Sequence, residues 1–194
     1  MQAYKIKKST GNNGFTLIEL LVVIAVIGIL SLGIPNFSQT IARGRLTTYA
    51  NDFLTAINIA RSEAIKRGVQ VTVLRNGAVA GQWELGWTIF VDRDGTEGFV
   101  DDGDAILCEV DAGGVPLEDC LLKIYPALKT GYTLRTGGTT YQNYFAFAST
   151  GVSIVAAGDT FRLCDVSADN TNSRSITVNA IGRARVSTGT TGCP

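Results

Sequence analysis

Three groups of residues have types and spacings that chemistry could use. Near the C-terminus, Gly182-Arg183-Ala184-Arg185 places two arginines two residues apart, and no acid occurs over residues 174–194. On a strand, that spacing points both side chains to one face. Two guanidinium groups so placed can each offer a planar fork of donors to successive phosphates. Gly182 would let backbone come close to a ligand, and Arg174 opens the same acid-free tail. A short basic cluster is also what a solvated strand edge looks like. The second group is the acid- and glycine-rich stretch over residues 92–104, DRDGTEGFVDDGD. Hard oxygens at alternate positions are what calcium requires. An EF-hand loop beginning at Asp92 needs glycine at 97 and glutamate at 103, but Glu97 and Gly103 stand there, which excludes an EF-hand. The expected reading is a solvated turn without a metal, with a calcium loop of another geometry as the alternative. The third is Glu19, a lone carboxylate inside an apolar run. Such a charge is costly at depth and calls for a partner.

Other chemistry is excluded by what the chain lacks. It has no histidine, which removes the commonest general base, the commonest zinc ligand and the Ser-His and Cys-His nucleophile pairs. Cys108, Cys120, Cys164 and Cys193 form no Cys-x-x-Cys pair, so zinc-ribbon and thioredoxin-like sites lack their spacing. In an exported chain they read as disulfides, and four cysteines leave three pairings open. With no nucleophile motif, an interaction protein is expected, without cofactor, and not an enzyme.

The elements that must position these residues follow from patterning. Residues 14–32 are apolar apart from Glu19 and just long enough to cross a bilayer as a helix of about 20 residues. Lys5, Lys7 and Lys8 precede the run and no acid does, which keeps the first residues cytoplasmic. Gly33 and Pro35 then predict a kink. The helix resumes with Leu46, Tyr49, Phe53, Ile57, Ala60 and Ala64 at spacings of three and four. Lys66 and Arg67 suit its last turn, and Gly68 the residue past it. Beyond it, runs at 69–74, 86–91, 106–110, 121–125, 132–135, 144–148, 161–164, 176–179 and 183–187 alternate apolar and polar residues between Gly-, Asp- and Thr-rich turns, the pattern of antiparallel strands. The fold class is therefore α+β, a long kinked N-terminal helix packed on antiparallel sheet. Charge adds little. The chain holds 17 basic and 17 acidic residues, and removing the three lysines of the leader leaves a balance of −3. A nucleic-acid site would need a local patch.

The apolar run could be a plain signal anchor or a secretory peptide, but a secretory cleavage site follows its apolar core. Here the junction Gly14-Phe15 precedes it. The words Gly14-Phe15-Thr16-Leu17-Ile18-Glu19-Leu20-Leu21 resemble the class III signal of type IV pilins and type II secretion pseudopilins. Asn58-Ile59-Ala60-Arg61-Ser62-Glu63-Ala64-Ile65-Lys66-Arg67 is similar to the helix end of the GspH/FimT/FimU minor pilins. Gly86-Trp87, Ile89-Phe90-Val91-Asp92 and Phe161-Arg162-Leu163-Cys164 resemble their strands.

The resemblance implies a type IV pilin-like fold in three parts. Residues 1–14 are a leader removed by a prepilin peptidase, 15–36 the half-helix that lies in the inner membrane and later in the filament core, and 37–194 a periplasmic globular domain. It implies cleavage between Gly14 and Phe15, N-methylation of Phe15, and pairing of Glu19 with the Phe15 amine of a neighbouring subunit. The partners implied are other major and minor pilins in a filament. Gly182-Arg183-Ala184-Arg185 is similar to the Gly-Arg-x-Arg tail of FimT-like pilins, which bind DNA during uptake, so double-stranded DNA is a further implied partner. The alternative is a GspH- or FimU-like structural subunit that binds only pilins. The expected disulfides are Cys108–Cys120, which closes a short loop, and Cys164–Cys193, which ties down the C-terminus as related minor pilins do.

Overall fold

The computed structural model describes residues 14–100, 108, 112–114, 118–155, 157–190 and 192–193, without the side chains of 32–37. It divides into two compact units, residues 1–41 and 42–194. Helix α1 (Leu17–Arg67) runs through both. Gly33 and Pro35, where a kink is expected, lie within α1, and their side chains are among those not described.

In the first unit, α1 begins with a reciprocal cap. Thr16 is the residue before the helix, and its N–H and hydroxyl both donate to Glu19 Oε2, at 2.9 and 2.8 Å. The Glu19 N–H donates back to Thr16 Oγ1 at 3.3 Å. Threonine followed three residues on by glutamate is the pairing that satisfies orphan N–H groups at a helix start. Every described side chain from Phe15 to Ser31 is exposed, Phe15 at 91% and Leu17 at 81%. Among the described residues no helix is long and apolar enough to cross a membrane. The span expected over 15–36 includes 32–36, whose side chains are not described.

In the second unit, α1 buries one stripe, Leu46, Ala50, Phe53, Ile57, Ala60 and Ala64, each at most 1% exposed. The helix ends as its sequence predicts. Glu63 pairs with Arg67 at 2.7 Å, and Gly68, at φ +69°, donates to the Ala64 carbonyl at 2.9 Å. That is a left-handed cap, and glycine adopts it without steric cost.

Eight strands follow, β1 (Val71–Arg75), β2 (Trp87–Val91), β3 (Cys120–Tyr125), β4 (Thr133–Thr136), β5 (Tyr144–Phe147), β6 (Asp159–Cys164), β7 (Arg174–Val178) and β8 (Ala184–Thr188). They form two four-stranded sheets, β3-β2-β1-β5 and β4-β6-β7-β8, with antiparallel neighbours throughout. The strand expected at 106–110 lies outside the described residues apart from Cys108. Inward-facing side chains of both sheets meet the helix stripe in one core. Phe53 is its hub. Its ring makes edge contacts with Trp83, Trp87, Phe145 and Phe161 at centroid distances of 5.5, 5.0, 5.8 and 4.7 Å. Trp83 is fully buried and donates its indole N–H to the Tyr141 carbonyl at 3.0 Å.

Both expected disulfides form, Cys108–Cys120 and Cys164–Cys193, with Cα separations of 4.3 and 5.8 Å. The second ties Cys193, near the chain end, back to β6, 29 residues earlier. In the chain-entropy estimate, closing a loop of that length contributes about 3–4 kcal/mol.

Candidate functional site: an arginine-bearing sheet face and an N-terminal assembly segment

The second sheet has one face on the core and one facing out. Along β7, Ile176 and Val178 are buried, while Ser175 and Thr177 point the other way. Their ladder partners on β8 carry the same division, with Val186 opposite Ile176, and Arg185 opposite Thr177. Arg185 therefore stands on the outer face, exposed. Arg183 precedes β8 by one residue, yet the pairing continues through it. The Asn179 N–H donates to the Arg183 carbonyl at 3.0 Å, and the Arg183 N–H donates to Asn179 Oδ1 at 2.8 Å. Arg183 is also exposed, two residues from Arg185 and on the same face. No ion pair among the described residues involves either arginine.

Two residues expected in this cluster do other work. Arg174 shares the parity of Ile176 and Val178, so it turns to the opposite face. Its guanidinium donates to Thr47 Oγ1 on α1 at 3.2 Å and to the Asn172 and Ser173 carbonyls at 2.8 and 3.0 Å. It ties the β7 loop to the helix and is not part of the outer arginine set. Gly182 is buried, at φ +78°, in the turn between β7 and β8. Its N–H donates to the Asn179 carbonyl at 2.8 Å. A Cβ there would stand 2.2 Å from Phe147 Cε1, so its close approach is to the core and not to a ligand.

One arginine that spacing did not select joins the face. Arg162 on β6 points outward, half-buried, opposite Ser175 on β7. Its signal in the sequence was the alternation Phe161-Arg162-Leu163, which gives the face but not the neighbours.

The acid-rich stretch folds as a turn tied by its own carboxylates. Residues 93–96 of the turn are exposed, while Asp92 at its start and Asp119 beneath it are each 2% exposed. Asp92 accepts from Gln70 Nε2 at 2.8 Å, Thr72 Oγ1 at 2.7 Å, the Gly95 N–H at 2.8 Å and the Glu97 N–H at 3.1 Å. Asp119 accepts the Arg93 and Val100 N–H groups, both at 2.9 Å. One oxygen each of Asp92, Asp94 and Asp119 lies within 4.8 Å of the others. Burial, against those two N–H donors and reinforced by the charges of Asp92 and Asp94, raises the Asp119 pKa above the ordinary carboxylate value. Both oxygens of Asp92 and of Asp119 already accept hydrogen bonds, which accounts for their burial without an ion. Residues 101–104 of the stretch lie outside the described set.

At the N-terminal segment, Gly14 and Phe15 are exposed ahead of the helix, with the Thr16–Glu19 cap immediately after them. The residues expected to be cut, methylated and paired, Gly14, Phe15 and Glu19, thus lie within six consecutive positions.

Comparison with known proteins fits this arrangement. Residues 10–35 match the model of the prokaryotic N-terminal methylation motif, and residues 49–182 match that of type II transport protein GspH. The type IV major fimbrial protein FimA of Dichelobacter nodosus is 34% identical over 88 residues, covering 44% of this chain and 50% of that protein. A fimbrial protein of Pseudomonas aeruginosa is 34% identical over 84 residues, covering 43% and 53%. The chain thus spans about half the length of the curated relatives it matches. The crystal structure of the type IV minor pilin FimU of Pseudomonas aeruginosa superposes with a TM-score of 0.54 at 16% identity, over 78% of this chain and 97% of that one, which is a likeness of fold. With its long N-terminal helix, paired antiparallel sheets, methylation motif and GspH match, the chain belongs to the GspH family of type IV minor pilins and pseudopilins.

Proposed function

We propose that this chain is a minor pilin of a type IV pilus that binds double-stranded DNA on the outer face of its second sheet. It is made with a leader that a prepilin peptidase removes after Gly14, and it is N-methylated on Phe15. Residues 15–36 hold it in the inner membrane with the rest periplasmic, and it then enters a filament with other pilins. It acts by interaction and not as an enzyme, since the chain has no histidine to serve as a base. The observation that supports the assembly reading is the exposed apolar helix surface from Phe15 to Ser31. A surface of that kind needs lipid or other helices against it.

For DNA, the supporting observation is that Arg183 and Arg185 stand exposed on one face, free of ion pairs among the described residues. Phosphate contacts release counterions, so binding should weaken steeply with salt and show little sequence preference. With few arginines, affinity should sit near the nonspecific range of about 10⁻⁴–10⁻⁶ M. Titration of the full chain in detergent with a short duplex at low and high salt tests this. Arg183→Gln with Arg185→Gln should remove most of the binding and leave the fold intact, because exposed substitutions usually shift stability by less than about 0.5 kcal/mol. Equal binding by wild type and the double variant, or none by either at low salt, would refute DNA binding.

The second reading is a structural pseudopilin of a type II secretion system or pilus-initiating complex that binds only pilins. The GspH match over residues 49–182 favours it. It becomes the better reading if the titration fails.

A further inference from the structure

The outer face of the second sheet carries a cavity of about 950 Å³, in the size range of ligand pockets. Its floor is made by Thr160 and Arg162 of β6 with Ser175 and Thr177 of β7. Its walls include four glycines, Gly137, Gly138, Gly158 and Gly189. A Cβ at Gly137 would stand 2.9 Å from the Thr160 carbonyl and 3.1 Å from Arg162 Nη2, and one at Gly158 would stand 2.8 Å from the Val178 carbonyl. Bare backbone at these points keeps the floor reachable.

The floor is a cation among hydroxyls. The Arg162 guanidinium contacts two carbonyls at long range, Gly192 at 3.4 Å and Gly137 at 3.5 Å, and forms no ion pair among the described residues. The Thr160 and Thr177 hydroxyls are 3.1 Å apart. One acid, Asp159, reaches the wall, but it is 9% exposed and accepts the N–H of Thr160 at 2.7 Å and of Tyr141 at 3.4 Å. A half-buried guanidinium with only weak acceptors is poised for a stronger one, and charge-assisted bonds to phosphate are roughly twice as strong as neutral ones. No aromatic ring lines the cavity among the described residues, so the site has no platform for stacking bases.

The ladder registers place this site next to the arginines already described. Thr160 pairs with Thr177, and Thr177 with Arg185, so one cross-strand row runs from the cavity floor to Arg185. Adjacent strands lie about 4.8 Å apart, which puts β6 and β8 about 10 Å apart.

We propose that this cavity receives one sugar-phosphate strand of the bound nucleic acid, with Arg162 on its floor as a further phosphate contact continuing the track of Arg183 and Arg185. This rests on the DNA reading above. Recognition is of backbone and not of bases.

Anisotropy of a labelled short duplex, titrated with the full chain in detergent over a series of salt concentrations, tests it. Arg162→Gln should weaken binding roughly tenfold at low salt, in line with a lost charged hydrogen bond. It should also make the slope of log K against log salt shallower by about 0.9, one phosphate. Arg162→Lys should keep the slope. Ser175→Asp, which keeps the arginine but puts a carboxylate directly opposite it on the ladder, should weaken binding at least as much as Arg162→Gln. Tryptophan emission matching wild type would show each variant folded. If the Arg183/Arg185 double variant loses binding while Arg162→Gln and Ser175→Asp keep wild-type affinity and slope, the cavity proposal is wrong and the DNA reading stands. If wild type binds no duplex at low salt, the DNA reading fails and the cavity proposal with it.

Discussion

Phe53→Ala should destabilise the globular unit by about 3–5 kcal/mol, the cost of a large core truncation that leaves a cavity. The ring sits where the helix stripe meets both sheets and touches four other aromatic rings, Trp83 and Trp87 among them. Its loss removes buried apolar area and leaves those edge contacts unfilled, and the neighbours are fully buried and cannot easily collapse. Domains of this kind hold only about 5–15 kcal/mol in total, so a large share of stability goes. Denaturant unfolding followed by tryptophan emission reads the change directly. A loss below about 1 kcal/mol would show that Phe53 is not the hub the geometry makes it.

Filament assembly should fail when Glu19 loses its charge, even when its shape is kept. In the single chain its carboxylate closes the cap with Thr16. Glutamine at the same position also closes a capping box, so Glu19→Gln should leave the helix start intact. In the proposed assembly the Phe15 amine of the next subunit meets an anion at this position, which glutamine does not supply. Breaking one side of a buried ion pair leaves the other charge uncompensated. Glu19→Gln and Glu19→Val should therefore both accumulate in the membrane while filament incorporation falls by an order of magnitude or more. Immunoblots of sheared filament fractions measure this. Wild-type incorporation of both variants would end the pairing account.

Much of this molecule is readable from local pattern. The helix stripe, its Gly68 cap and the positions of eight strands follow from spacings of two, three and four residues, because burial on one side imposes those periods. Partners across the sheet are less readable. Arg162 lies near Arg185 because β7 pairs with both β6 and β8, and strand order is set by contacts far apart in sequence. Parity already separated Arg174 from Arg183 and Arg185, since Arg174 keeps step with Ile176 and Val178. Membership in one acid-free tail hid that. Gly182 could be identified as a turn glycine, but not that Phe147 of the other sheet presses against it. The Thr16–Glu19 cap is legible as a short Thr-x-x-Glu motif at the start of the apolar run.

The central claim is that the chain is a processed pilin subunit, and its N-terminus decides that most directly. The chain would be expressed with a prepilin peptidase, recovered from the membrane and the filament fraction, and its N-terminal peptide identified by mass spectrometry. The expected species begins at Phe15 and carries one added methyl group, while Gly14→Val stays full length and is missing from filaments. A wild-type chain that keeps residues 1–14 in the filament fraction, or that is cut after the apolar run, would contradict the account.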